Sequence, residues 1–230
     1  MNIVKNTFVT LGLGFCLVFI PNCRGNIIPT EEELSDYGWI IYAEGDYFNA
    51  RVWFGDAIKK DPLYNDSYNG MGWTMGHLRQ ADSSVYYFEK FLAIDTSFTN
   101  VLDFYAGLSF AYNAIGNDAK ARTNCNIFFG KQNPILDAPW SFSHSDNINY
   151  LDVRLILAIS EFRLGNFEDC QATINDIYTD ETFINDIYNG DIYCDNGDMP
   201  IIVNEDLTTV IGRSNLACHI ATLQKQLLNS

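Results

Sequence analysis

The side chains of this 230-residue chain that could do chemistry are three histidines, six cysteines and a run of carboxylates near the C-terminal end. His77, His144 and His219 are far apart, and no His-Glu-x-x-His pair, glycine-rich phosphate loop or nucleophile elbow accompanies them. Residues distant in sequence can converge in space, so this alone does not exclude catalysis. The expectation is nevertheless a noncatalytic chain with no cofactor and no metal. Asp191, Asp195 and Asp198, with Gly190 and Gly197, offer oxygens for calcium, but Tyr193 and the glycine placement break the ligand alternation such a loop needs. A solvated loop is expected there. Cys125 and Cys170 fall on apolar positions, where a thiol behaves as a small hydrophobe. Cys194 and Cys218 could pair in an oxidising compartment, yet their spacing forms no redox or zinc motif, and free buried thiols are the default.

What must position these residues emerges from self-similarity along the chain. Leu34, Tyr37 and Ile41 are spaced by three and seven, which puts them on one helical face, and Gly38 stands beside Tyr37. Glu44-Gly45-Asp46 permits a reversal. Ala50, Phe54 and Ala57 then mark a second helix, closed by Lys59-Lys60-Asp61-Pro62. At a spacing of 34, Tyr68, Met71, Gly72 and Met75 repeat the first helix, and Ser84, Phe88 and Asp95 repeat the second. A third unit follows with Tyr105, Leu108, Ser109 and Tyr112, the turn Gly116-Asn117-Asp118, then Ala121, Cys125 and Phe128. The fourth has Leu157 and Ala158, the turn Gly165-Asn166-Phe167, then Cys170, Ile174 and Ile177, although Arg154 and Glu161 stand where apolar residues are expected.

This period, with its order of large, small and turn residues, resembles the tetratricopeptide repeat over residues 31–177. The resemblance implies an all-α, right-handed α-solenoid of about four helix hairpins, at 31–64, 65–98, 102–135 and 151–177. It also implies a concave face made by the first helices, which binds a partner protein or peptide. The residue after each small packing residue should face that groove: Trp39, Trp73, Phe110 and Ile159. Three positions on come Tyr42, Gly76, Asn113 and Phe162, with His77 adjacent, and the helix starts add Glu32, Asp66, Asp103 and Asp152. Trp39, Tyr42, Trp73, His77, Phe110 and Asn113 are therefore the expected groove, apolar at its centre and acidic at one edge. Such aromatics suit an extended peptide or, as the alternative, the stacking of a sugar ring in a carbohydrate- or nutrient-binding protein. The competing expectation is that they are core, covered by the insert at 132–149 or by the C-terminal region.

That insert contains Asn133-Pro134, Ala138-Pro139-Trp140 and Ser141-Phe142-Ser143-His144. It holds too many turn residues for a helix and too many aromatics for a free linker. Residues 178–230 read as an acidic loop region followed by Leu216, Ile220, Leu223 and Leu227 at helical offsets, an amphipathic helix that would cap the last repeat from a start at Ser214 or Asn215.

At the other end, Lys5 precedes an apolar run over residues 7–20, then Pro21-Asn22-Cys23. At about 1.5 Å per residue the run covers roughly 21 Å, short of a bilayer's ~30 Å apolar core. Residues 1–22 resemble a bacterial lipoprotein signal, which implies lipidation of Cys23, although Asn22 departs from the small residue that pattern places before the cysteine. Secretory cleavage after Gly25 is the alternative and an uncleaved anchor the third. Each implies the cell envelope, with membrane contact only through the N-terminus.

Composition narrows the rest. With 47% hydrophobic residues the chain can close a core, which excludes intrinsic disorder. The net charge of −15, without any Lys/Arg cluster, excludes a nucleic-acid partner.

Overall fold

Thr30 begins the ordered helices. Its hydroxyl accepts from the Glu33 N–H at 3.1 Å while the Glu33 carboxylate accepts from the Thr30 N–H at 2.7 Å, closing a reciprocal cap on α1, Glu31–Ala43. Gly45 then takes a φ of 82°, the turn reverses, and Asp46 caps α2, Tyr47–Lys60, through the Asn49 N–H. Further helix pairs follow: α3, Asn65–His77, with α4, Ala81–Ile94; α5, Val101–Ala114, with α6, Asp118–Lys131; and α7, Tyr150–Arg163, with α8, Phe167–Tyr178. A π-helical turn at Phe183–Ile187 and a last helix, α9, Val210–Leu227, follow. The computed structural model describes residues 28–94, 101–132, 139–145, 147–190, 194 and 201–227. Residues 1–22, expected to be a signal, together with Cys23, Asn133, Pro134, Asp191, Asp195 and Asp198, lie outside the described residues.

The fold is all-α, its helices packed in adjacent pairs; among the described residues the only β pairing is an isolated antiparallel bridge between Ser141 and Asn149. Each helix packs on the next, and α1 also meets α3, α3 meets α5 and α5 meets α7, so the first helices form one row. Steric complementarity sets the spacing of that row. Phe54 on α2 is wedged between the bare backbones of Gly38 and Gly70, where an added Cβ would come within 2.8 and 2.2 Å of its ring. Phe88 on α4 does the same between Gly72 and Gly107, at 2.8 and 2.5 Å. Both phenylalanines are fully buried, as are Phe104 and Phe128 further along.

The polar residues of α7 are accommodated in two ways. Glu161 is buried, accepts from the Thr173 hydroxyl at 2.8 Å and lies 3.7 Å from Arg122 Nε. Arg154 lies over the Phe129 and Tyr150 rings and reaches Asp180. Helix α9 packs on α7 and α8, with Leu216 and Leu223 buried and the Tyr178 hydroxyl 3.0 Å from His219 Nδ1. It begins before the expected start at Ser214 or Asn215. Thr209 accepts from the Gly212 N–H at 2.9 Å, and only a glycine lets the helix pass Asp206, whose carbonyl would stand 2.2 Å from a Cβ there. Cys125 and Cys170 are buried free thiols, whereas Cys194 and Cys218, for which free thiols were the default, form a disulfide. Their Cα atoms are 5.9 Å apart, a proximity that spacing alone does not reveal.

Candidate functional site

The row of first helices presents Trp39, Trp73, Phe110 and Ile159 in succession, and the insert returns across it. Trp140 and Tyr150 frame the crossing through a Tyr150 N–H to Trp140 carbonyl bond of 3.0 Å, and the Phe142 N–H donates to the Ile148 carbonyl at 2.8 Å. Phe142 stacks on Trp73 with centroids 4.1 Å apart and stands edge-on to Trp39 and Tyr42 at 6.1 and 6.0 Å. His144 stacks on Trp39 at 3.9 Å. The insert therefore fills the α1–α3 end of the face with aromatic rings.

Carboxylates at the helix starts hold this arrangement. Asp66 Oδ2 accepts from the Trp39 indole at 2.9 Å and from the Ser35 hydroxyl at 2.7 Å. Asp103 accepts from the Trp140 indole at 2.7 Å and from Ser143 at 3.0 Å. Burial pushes the Asp103 carboxyl above its ordinary value, and those two donors pull against that. Burial likewise lowers the basicity of His144, with Asp103 and Asp66 opposing it.

Two expectations are thereby corrected. Trp39 and Tyr42 do not lie open on a groove; they are 6% and 1% exposed because Phe142 and His144 lie on Trp39 and Phe142 on Tyr42. Asp66 and Asp103 are not a free acidic edge, since their oxygens serve the insert and Trp39. Asn113 is also occupied, donating to Ser160 at 3.3 Å and to Asp118 at 3.4 Å between α5 and α7. His77 stays at the surface, stacked on Tyr47 at 4.1 Å, and partial shielding from water lowers its basicity.

Beyond the insert the face opens. A hollow of about 490 Å³ is lined by Trp73, Gly76, His77, Arg79, Phe110 and Ile148, with Phe88 and Ala111 among the remaining walls. A second, of about 240 Å³, shares Phe110 and Ile148 and continues past Asp152 and Ile159 to Leu227. The larger one falls within the size range of small-ligand sites. The Trp73 indole N–H, buried in its wall, has no acceptor among the described residues.

Two residues of the larger hollow break the repeat. Where the other units place Tyr42, Asn113 and Phe162, the second unit has Gly76, and a Cβ added there would meet only Ser84 Oγ at 3.7 Å. Packing does not require that glycine, which costs the helix roughly 1 kcal/mol relative to alanine. Where the other units turn on Gly45, Gly116 and Gly165, with φ of 75–82°, the second unit has Arg79 at φ 59°. A side chain in that region costs about 1–2 kcal/mol. Sequence reasoning placed Trp73, His77 and Phe110 here and the insert over this face, but it singled out neither Ile148 nor Arg79. The glycine-to-arginine exchange at the turn was the available signal for Arg79. Nothing local marks Ile148 as the residue of the insert that meets this hollow.

Among the described residues no group of His, Cys, Asp or Glu is arranged to hold a metal ion, and no helix is long and apolar enough to cross a membrane. Comparison with protein-family profiles and with curated proteins returns no match. The site stands on its own geometry.

Proposed function

We propose that the chain is a noncatalytic scaffold of the tetratricopeptide type, a right-handed solenoid of four hairpins that docks a partner protein or peptide on its row of first helices. One observation carries this reading: two largely apolar hollows lie side by side along the face from α3 to α9, with Phe110 and Ile148 lining both. A track shared by consecutive helices fits an extended segment better than a single compact ligand. The insert supports the reading, because it is itself an aromatic segment seated on the neighbouring part of the same face. Export to the cell envelope, with Cys23 as lipid anchor, belongs to the same proposal, and the Cys194–Cys218 disulfide supports an oxidising compartment.

Phe110 is half-buried and belongs to both hollows, so Phe110→Glu places a charge in the track. Binding of wild type and variant to peptide and glycan arrays tests the function. Peptide binding lost in the variant supports the scaffold, and glycan binding lost instead would favour a carbohydrate-binding protein. Binding of either kind that Phe110→Glu leaves unchanged removes the track from the function.

A further inference from the structure

Each hairpin fills the inner end of its first helix with a side chain, except the second. In the first unit Tyr42 occupies that position, packed edge-on against Trp39 and Tyr47. In the second unit Gly76 leaves it vacant, with Trp73 and Phe110 as the walls, their centroids 5.8 Å apart and their planes at 86°. The vacancy has the position that Tyr42 and Phe162 fill in the first and fourth units, and it has aromatic walls.

Its rim carries a cation that the fold does not use. Arg79 is the one arginine among the described residues without an ion pair, ring contact or side-chain hydrogen bond. The other five lie on Phe48, pair with Asp or Glu, or hold backbone carbonyls. In a chain of net charge −15 a free guanidinium is scarce, and this one sits on a strained turn that glycine serves in the other three units. The two departures from the repeat, a side chain removed at Gly76 and one added at Arg79, meet in a single hollow.

We propose that this hollow receives an aromatic side chain of the partner peptide in the space left by Gly76, while an Asp or Glu beside that residue is held by Arg79. The inference rests on the peptide-docking reading and names the peptide's chemistry. The planar guanidinium matches a carboxylate in two parallel hydrogen bonds. The hollow beside it measures about 490 Å³ and is open at Gly76, where an added Cβ would meet only Ser84 Oγ, at 3.7 Å.

A displayed random heptapeptide library panned on the immobilised full chain tests this, with Gly76→Leu and Arg79→Gly as companions. Gly76→Leu fills the hollow from a position with room for the new side chain. Arg79→Gly restores the turn residue of the other units, so its Tm should rise by about 2–4 °C even as binding falls. Wild type should enrich peptides with an aromatic residue next to an acid, and Gly76→Leu should lose them. Arg79→Gly should retain the aromatic preference but bind acidic peptides at least about tenfold more weakly, no better than their amide counterparts. Enriched peptides that bind Gly76→Leu as well as wild type would overturn the assignment while leaving peptide docking intact, provided Phe110→Glu still removes them. Enrichment without an acid preference would overturn the role of Arg79. If no peptide is enriched, the docking reading falls with it.

Discussion

Asp152 caps α7 with a carboxylate that its surroundings favour in the neutral form. It accepts from the Asn149 N–H at 2.8 Å, but burial outweighs that bond and raises its pKa to about 6. In the unfolded chain the value is near 3.8, so between these limits the folded state binds more protons than the unfolded one. Stability from this group is therefore present at acid pH and lost as pH rises through about 6, an effect of about 2–3 kcal/mol. Asp152→Asn keeps a capping oxygen and removes the titration. Urea unfolding from pH 4 to 7 should show the wild type losing stability relative to the variant across that window; parallel curves would mean the carboxyl titrates normally. The thiols behave differently: burial pushes Cys125 and Cys170 up to about 12, which leaves them protonated and unreactive at neutral pH.

Among the elements, the insert has the least helical order and some of the densest aromatic packing. Phe142 is 2% exposed and touches rings from α1 and α3 as well as its own neighbours Trp140 and His144. Phe142→Ala removes the wedge and should cost about 3–5 kcal/mol. Because a row of hairpins is held by nearest neighbours, the loss should fall on the insert and the α1–α3 end. Hydrogen exchange reads this directly: the amides of residue 142 and of Tyr150, bonded to Ile148 and Trp140, should exchange faster while those inside α6 and α8 hold. Uniform acceleration along the chain would show that the insert is part of one global unit and not a separable cover.

For the whole molecule, a line of hairpins leaves two ends to protect. Helix α9 covers one, tied by the Cys194–Cys218 disulfide and by Asn175, which brackets Val203 through its N–H and its carbonyl. The proposed export and lipid anchor concern the other end and the location of the whole chain. Protein made in a bacterial host and fed a labelled fatty acid should carry the label at Cys23, fractionate with membranes and lose both properties in Cys23→Ala. A soluble, unlabelled wild type would refute the anchor.

The legibility of this protein follows the range of the interactions involved. The hairpins were readable because their determinants are local: offsets of three and four, a glycine at three of the four hairpin turns, and large residues such as Phe54 and Phe88 that recur at the 34-residue period and pack against small residues of the neighbouring helices. The aromatic stripe of Trp39, Trp73 and Phe110 followed from the same period. Which part of that stripe is open was decided by tertiary structure, because Phe142 and His144 reach it from over 65 residues away in sequence and no pattern within a helix specifies where a non-repeating segment comes to rest. The disulfide is of the same kind, a pairing fixed by how the chain folds back. Periodicity determined the row; long-range burial of a non-periodic segment determined its free face.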